Sequence, residues 1–100
     1  MMKLTLGNFR ADDMENERTK VLQEAAGLVN GPRQDDYGTP AQNFACIAQM
    51  WSAYLGEEID ARDVANMMAL LKIARLRIGN HRDSAVDGCG YLALGFEIGH

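Results

Sequence analysis

The sequence predicts an all-α domain, and three observations carry that prediction. Apolar residues recur at helical spacing in four separated windows. The breaks between windows hold residues that stop and start helices: Asn30-Gly31-Pro32, Thr39-Pro40, Gly56 with Asp60, and Gly79-Asn80. Those breaks are short, which argues for a small bundle of about four helices. One domain is expected from 100 residues, with 47% hydrophobic and 24% charged residues, an ordinary globular balance. A chain this small buries a modest share of its surface, so a homo-oligomer is expected.

Residues 1–11 contain Leu4, Leu6, Gly7 and Phe9 and read as an N-terminal arm, leaving 12–100 as a single helical domain. Asp12 with Glu15 has capping-box spacing and opens the first expected helix, whose apolar positions are Val21, Leu22, Ala25, Leu28 and Val29. The loop Gly31–Thr39 then gathers Arg33, Asp35, Asp36 and Tyr37. Thr39-Pro40-Ala41-Gln42 combines an N-cap, a proline at the first helical position and a box partner, a strong start. The apolar face of that second helix reads Phe44, Ile47, Ala48, Trp51, Tyr54 and Leu55, and Gly56 ends it.

Residues 60–79 form the third and most apolar window. Asp60 caps it and Asp63 lies at its positive dipole end. Val64, Met67, Met68, Leu71, Ala74 and Ile78 fall on one stripe, and Leu70, Ile73 and Leu76 extend it round the helix. Arg75 projects from the stripe and Lys72 lies one step round, so buried cations in need of anions are expected. The last helix starts near Asp83 or Ser84. Its Gly88, Gly90 and Gly95 each cost roughly 1 kcal/mol in a helix interior, which points to close backbone approach.

Two clusters are candidate sites. The first is Arg33, Asp36 and Tyr37 with Asn43 at the start of the second helix, where free N–H groups favour an anion. Arg33 would clamp a phosphate, Tyr37 stack on a base and Asn43 read a polar edge. The plainer alternative is a polar turn. The second is Lys72 and Arg75 with Asp83 and Asp87, brought together if the last two helices pair antiparallel. Its plainer alternatives are an internal ion pair, or capping by Asp87 through Ser84-x-x-Asp87.

Other chemistries fare worse. A Mg²⁺ centre would have to use Asp60, Asp63, Asp83 and Asp87, three of them at expected caps, and the second helix offers no carboxylate. His81 and His100 stand alone without metal spacing. Cys46 and Cys89 lack paired spacing and read as free thiols in a core. A net charge of -4 and a pI near 5.0 disfavour nucleic-acid binding. With neither a secretory leader nor a membrane span apparent, a cytoplasmic location, inside a bacterial host, is expected.

Several separated motifs add a resemblance. Tyr37-Gly38-x-Pro40-x-x-Asn43-Phe44, Ile47-Ala48-x-x-Trp51-Ser52, Asp63-Val64-Ala65-x-Met67-Met68 with Leu71-Lys72-Ile73-Ala74-Arg75, and Asp83-Ser84-x-x-Asp87-x-x-Gly90-Tyr91 follow one another in order. Together they resemble small phage and prophage proteins similar to nucleotide-modification-associated domain 1, over roughly residues 18 to 95. A more distant likeness is to all-α nucleoside-triphosphate pyrophosphohydrolases of the MazG and dUTPase kind, although their E-E-x-x-E helix is missing. The resemblance implies a phage setting and a link with nucleotides.

The expected function is therefore binding or sequestration of a nucleotide or nucleotide-derived signal, such as a host defence messenger, without turnover and without a cofactor. Arg33, Lys72 and Arg75 would meet phosphate, Tyr37 the base, and Asn43 and Asp87 polar edges or ribose, with Asp36 a further ligand-binding candidate. One alternative is a Mg²⁺-dependent nucleotide pyrophosphohydrolase using the four aspartates named above. The other is a protein-interaction module with no small-molecule ligand.

Overall fold

The computed structural model describes residues 16–31 and 38–99. Four helices make up its regular structure: α1 (Glu17–Val29), α2 (Pro40–Leu55), α3 (Ala61–Leu76) and α4 (Arg82–Gly99). The described residues contain no strand, so the all-α expectation holds. The proposed arm, residues 1–11, lies outside the described residues, as do Arg33, Asp36 and Tyr37. No helix among the described residues is long and apolar enough to cross a membrane.

Capping chemistry fixes most of the boundaries. At α2 the Gln42 N–H donates to Thr39 Oγ1 and the Thr39 N–H donates to Gln42 Oε1, both at 3.1 Å. At α3 the Asp63 N–H donates to Asp60 Oδ1 at 2.8 Å, and the Asp60 N–H donates to Asp63 Oδ2 at 3.1 Å. Each reciprocal pair satisfies two backbone donors that a helix start leaves over. Gly56 closes α2 with φ of 70°, a left-handed conformation that a side chain disfavours. Between α2 and α3 the Ser52 hydroxyl accepts from the Ile59 N–H (2.9 Å) and donates to the Ile59 carbonyl (3.1 Å).

The start of α1 departs from expectation. Its N-cap is Asn16, whose side chain accepts from the Thr19 N–H, and not Asp12. Asn is as good a cap as Asp, and Asp12 and Glu15 lie outside the described residues. At the other end of the helix, Asn30 and Gly31 stop the chain as expected.

In packing order, α2 lies against α3, α3 against α4, and α4 against α1. Phe44, Ala48, Val64 and Ala65 form the buried centre, with Ile47, Trp51, Ile59, Met68, Tyr91, Leu94 and Ile98 around it. The α3–α4 seam is made of small residues. A Cβ on Gly95 would lie 3.0 Å from Ala65 Cβ, and one on Gly88 would lie 3.7 Å from Lys72 Cβ. Gly88, Gly90 and Gly95 are all buried, and at Gly90 and Gly95 neighbours come too close for a side chain to fit freely, whereas Gly88 is in ordinary contact range.

That seam rotates α3 away from the expected stripe. Its buried residues are Val64, Ala65 and Ala69, flanked by half-buried Ala61, Met68, Lys72 and Leu76. Met67, Leu70, Leu71, Ile73 and Ile78 are exposed. Arg75 is exposed too, so it is not the buried cation the pattern implied. The physical reason is that large side chains dominate a hydrophobic stripe, whereas two helices approach most closely through small ones. The same lesson corrects α2, where Tyr54 is 90% exposed and Leu55 also lies outside the core. On α1, Leu22 and Leu28 are exposed while Thr19 and Ala25 are buried. Cys46 is exposed and Cys89 half-buried, so neither is the core thiol expected.

Candidate functional site

The principal cleft opens where the end of α1, the start of α2, the middle of α3 and the first half of α4 converge. Its volume is about 570 Å³, within the range of about 300–1,000 Å³ typical of small-ligand sites. Leu28 and Val29 come from α1, Phe44 from α2, and Val86, Tyr91 and Leu94 from α4. Phe44 and Tyr91 meet as a tilted ring pair with centroids 6.1 Å apart, an arrangement that aromatic quadrupoles favour. A Cβ on Gly90 would lie 3.2 Å from Val29 Cγ1, so the glycine lets α1 close against α4 at the cleft wall.

Against this apolar lining stand three polar side chains. Lys72 Nζ and Asp87 Oδ2 form an ion pair at 3.1 Å across the α3–α4 seam. The Lys72 side chain is only 16% exposed and that of Asp87 38%. Two charges held partly out of water need each other, because either one alone would carry an uncompensated desolvation cost. Asn43 faces the same cleft from the first turn of α2 and is exposed.

The structure thus brings Lys72, Asp87 and Asn43 into one cleft. Asp87 takes Lys72 as its partner instead of Arg75. Nor is it a cap, since Ser84 already lies inside α4, which starts at Arg82. Arg75 does not line the cleft. Asp83 sits in the first turn of α4, exposed, while Asp60 and Asp63 are joined in the α3 capping box at the other end of that helix. Among the described residues no group of three or more His, Cys, Asp or Glu side chains is arranged to hold a metal ion. Arg33, Asp36 and Tyr37 lie in sequence between Gly31 and Gly38, two residues of the cleft lining.

Sequence reasoning missed the hydrophobic half of the site. Phe44 and Tyr91 belong to the motifs that carry the resemblance, yet only the α2–α4 approach shows that their rings meet. Val29 and Gly90 are likewise joined by the docking of α1, which no local pattern encodes.

Comparison with known proteins adds a family. A domain of unknown function, DUF6378, matches residues 20–99, which take in nearly all of α1 and the whole of α2, α3 and α4. The chain belongs to that family. It is 50% identical over 72 residues to the Gene 55 protein of Mycobacterium phage D29, covering 71% of this chain and 48% of that protein. It is 47% identical over 76 residues to the Gene 55 protein of Mycobacterium phage L5, covering 74% and 49%. The chain therefore spans about half the length of these phage relatives. No solved structure matches it.

Proposed function

We propose that this DUF6378 protein binds a nucleotide-type ligand in the cleft and holds it without chemical turnover. The observation that carries the reading is the Lys72–Asp87 pair set in the wall of an otherwise mostly apolar cleft. An ammonium at that place offers a charge-assisted contact to phosphate. The carboxylate of Asp87 is an acceptor for ribose hydroxyls, Asn43 offers both donor and acceptor to a base edge, and the Phe44–Tyr91 rings supply apolar surface for a planar base. Arg33 and Tyr37, which follow the lining residue Gly31 in sequence, are assigned to phosphate and base, and Asp36 to a polar edge. Arg75, lying outside the cleft, has no part in this assignment.

The phage relatives and the resemblance to nucleotide-modification-associated proteins support the setting. In that setting, sequestering a nucleotide signal of the host's defence is the role that binding without turnover would serve. The aspartates a pyrophosphohydrolase would use are dispersed, with Asp60 and Asp63 in a cap and Asp87 on Lys72, which favours the binder.

The test is equilibrium dialysis and native mass spectrometry with a panel of linear and cyclic nucleotides, with and without Mg²⁺. Binding of one class, recovered unchanged, is expected. Lys72→Met should weaken it about 10-fold or more, the scale of a lost charge-assisted contact, while helical content by circular dichroism stays the same. Release of a monophosphate product would replace binding with hydrolysis. No nucleotide bound under any condition would end the proposal.

A further inference from the structure

We infer that the outer face of α3 is the surface on which a second copy of this chain docks, antiparallel and about a two-fold axis near Leu70. The face is apolar and, among the described residues, uncovered. Met67, Leu70, Leu71 and Ile78 are 37%, 63%, 47% and 80% exposed, and with Ala74 they follow the 3–4 spacing of a helix–helix seam. Leu70 and Ala74 point away from Ala65 and Ala69, which the fold itself buries, while Leu71 and Ile78 follow buried Val64 at seven-residue steps and edge the face. A contiguous apolar strip over about three helical turns is more than an isolated monomer normally leaves in water.

Charge decides which occupant fits. Glu57, Glu58, Asp60 and Asp63 outnumber Arg62 at the start of α3, and Arg75 and Arg77 stand at its end. Among the described residues the ion pairs are Lys20–Glu17, Lys72–Asp87 and Arg82–Glu24, so the arginines that end α3 form no ion pair, and the acids that begin it form none either, Asp60 and Asp63 accepting each other's backbone N–H. A helix acidic at one end and basic at the other complements its own reversed copy. The spacing fits as well. Asp63, Leu70 and Arg77 are seven residues apart, which places them on nearly one row, with Leu70 about 10.5 Å from each. A two-fold axis through Leu70 sets each Asp63 opposite the Arg77 of the other copy, with the leucines meeting at the centre. Such a contact is isologous and closes as a dimer.

The proposal is independent of the cleft, whose lining it does not use. It is tested by sedimentation velocity and native mass spectrometry on the whole chain over a range of concentration. The expected result is a dimer that Leu70→Glu weakens about 30-fold or more, as for a residue at an interface centre. Because Leu70 is exposed within one copy, that variant keeps its helical circular dichroism. The charges are tested by mixing. Arg77→Glu and Asp63→Arg should each dimerise poorly alone, through like charges across the axis, and form a mixed dimer together, where every pair is opposite. A monomeric wild-type protein would overturn the inference. So would an oligomer that Leu70→Glu leaves unchanged, or variants that gain nothing by mixing.

Discussion

The two faces of α3 contrast in an unexpected way. The buried face is built largely from small side chains, Ala61, Ala65 and Ala69, against Gly88 and Gly95 of α4. The exposed face carries Met67, Leu70, Leu71 and Ile73. Close approach, not side-chain bulk, decides which face a helix turns inward, since dispersion contacts multiply as backbones near each other. The face rich in large apolar groups is then left exposed.

This contrast can be broken most forcefully from the inside. Ala65→Leu adds bulk where nothing yields, and it should destabilise the fold by about 3 kcal/mol, the upper end of core overpacking, read from urea unfolding. Asp87→Ala leaves Lys72 without its anion in the same seam. Because the pair is only partly buried, the expected loss is about 1.5 kcal/mol, with the unfolding midpoint falling in proportion. Asp60→Ala removes the cap beneath both faces alike, at a cost of about 1 kcal/mol, and serves as the control for helix stability alone. Ile73→Ser, on the exposed circumference and off the proposed seam, should shift stability by no more than about 0.5 kcal/mol. If Ile73→Ser proved as damaging as Ala65→Leu, the two faces would not differ as described.

The helix count, the caps at Thr39 and Asp60 and the stop at Gly56 were all legible, because capping is local and its residues sit within one turn of each other. The meaning of Gly90 and Gly95 was legible as well, since a costly residue in a helix implies a compensating neighbour, whereas Gly88 has only ordinary contacts. The orientation of α3 was not. A stripe summed over Met, Leu and Ile points to the bulkiest face, and only the docking of α4 shows that Ala65 and Ala69 face inward. The candidate site divides in the same way. Lys72 and Asp87 stood out as charges on apolar helices, yet Arg75 looked equally good until the rotation of α3 separated them. Phe44 with Tyr91 needed the assembled fold.

The Ser52 hydroxyl, bonded in both directions to the Ile59 backbone, has a consequence for the order in which the chain folds. It ties the end of α2 to the entry of α3 across a seven-residue separation, so closing this loop costs little chain entropy. The α2–α3 hairpin can therefore assemble early and offer Phe44, Ala48 and Val64 as a template, whereas α1 must wait for distant α4 to arrive. Removing the hydroxyl with Ser52→Ala would then act on the folding rate more than on the unfolding rate, while Arg82→Ala, which cuts the long-range tie to Glu24, would do the reverse.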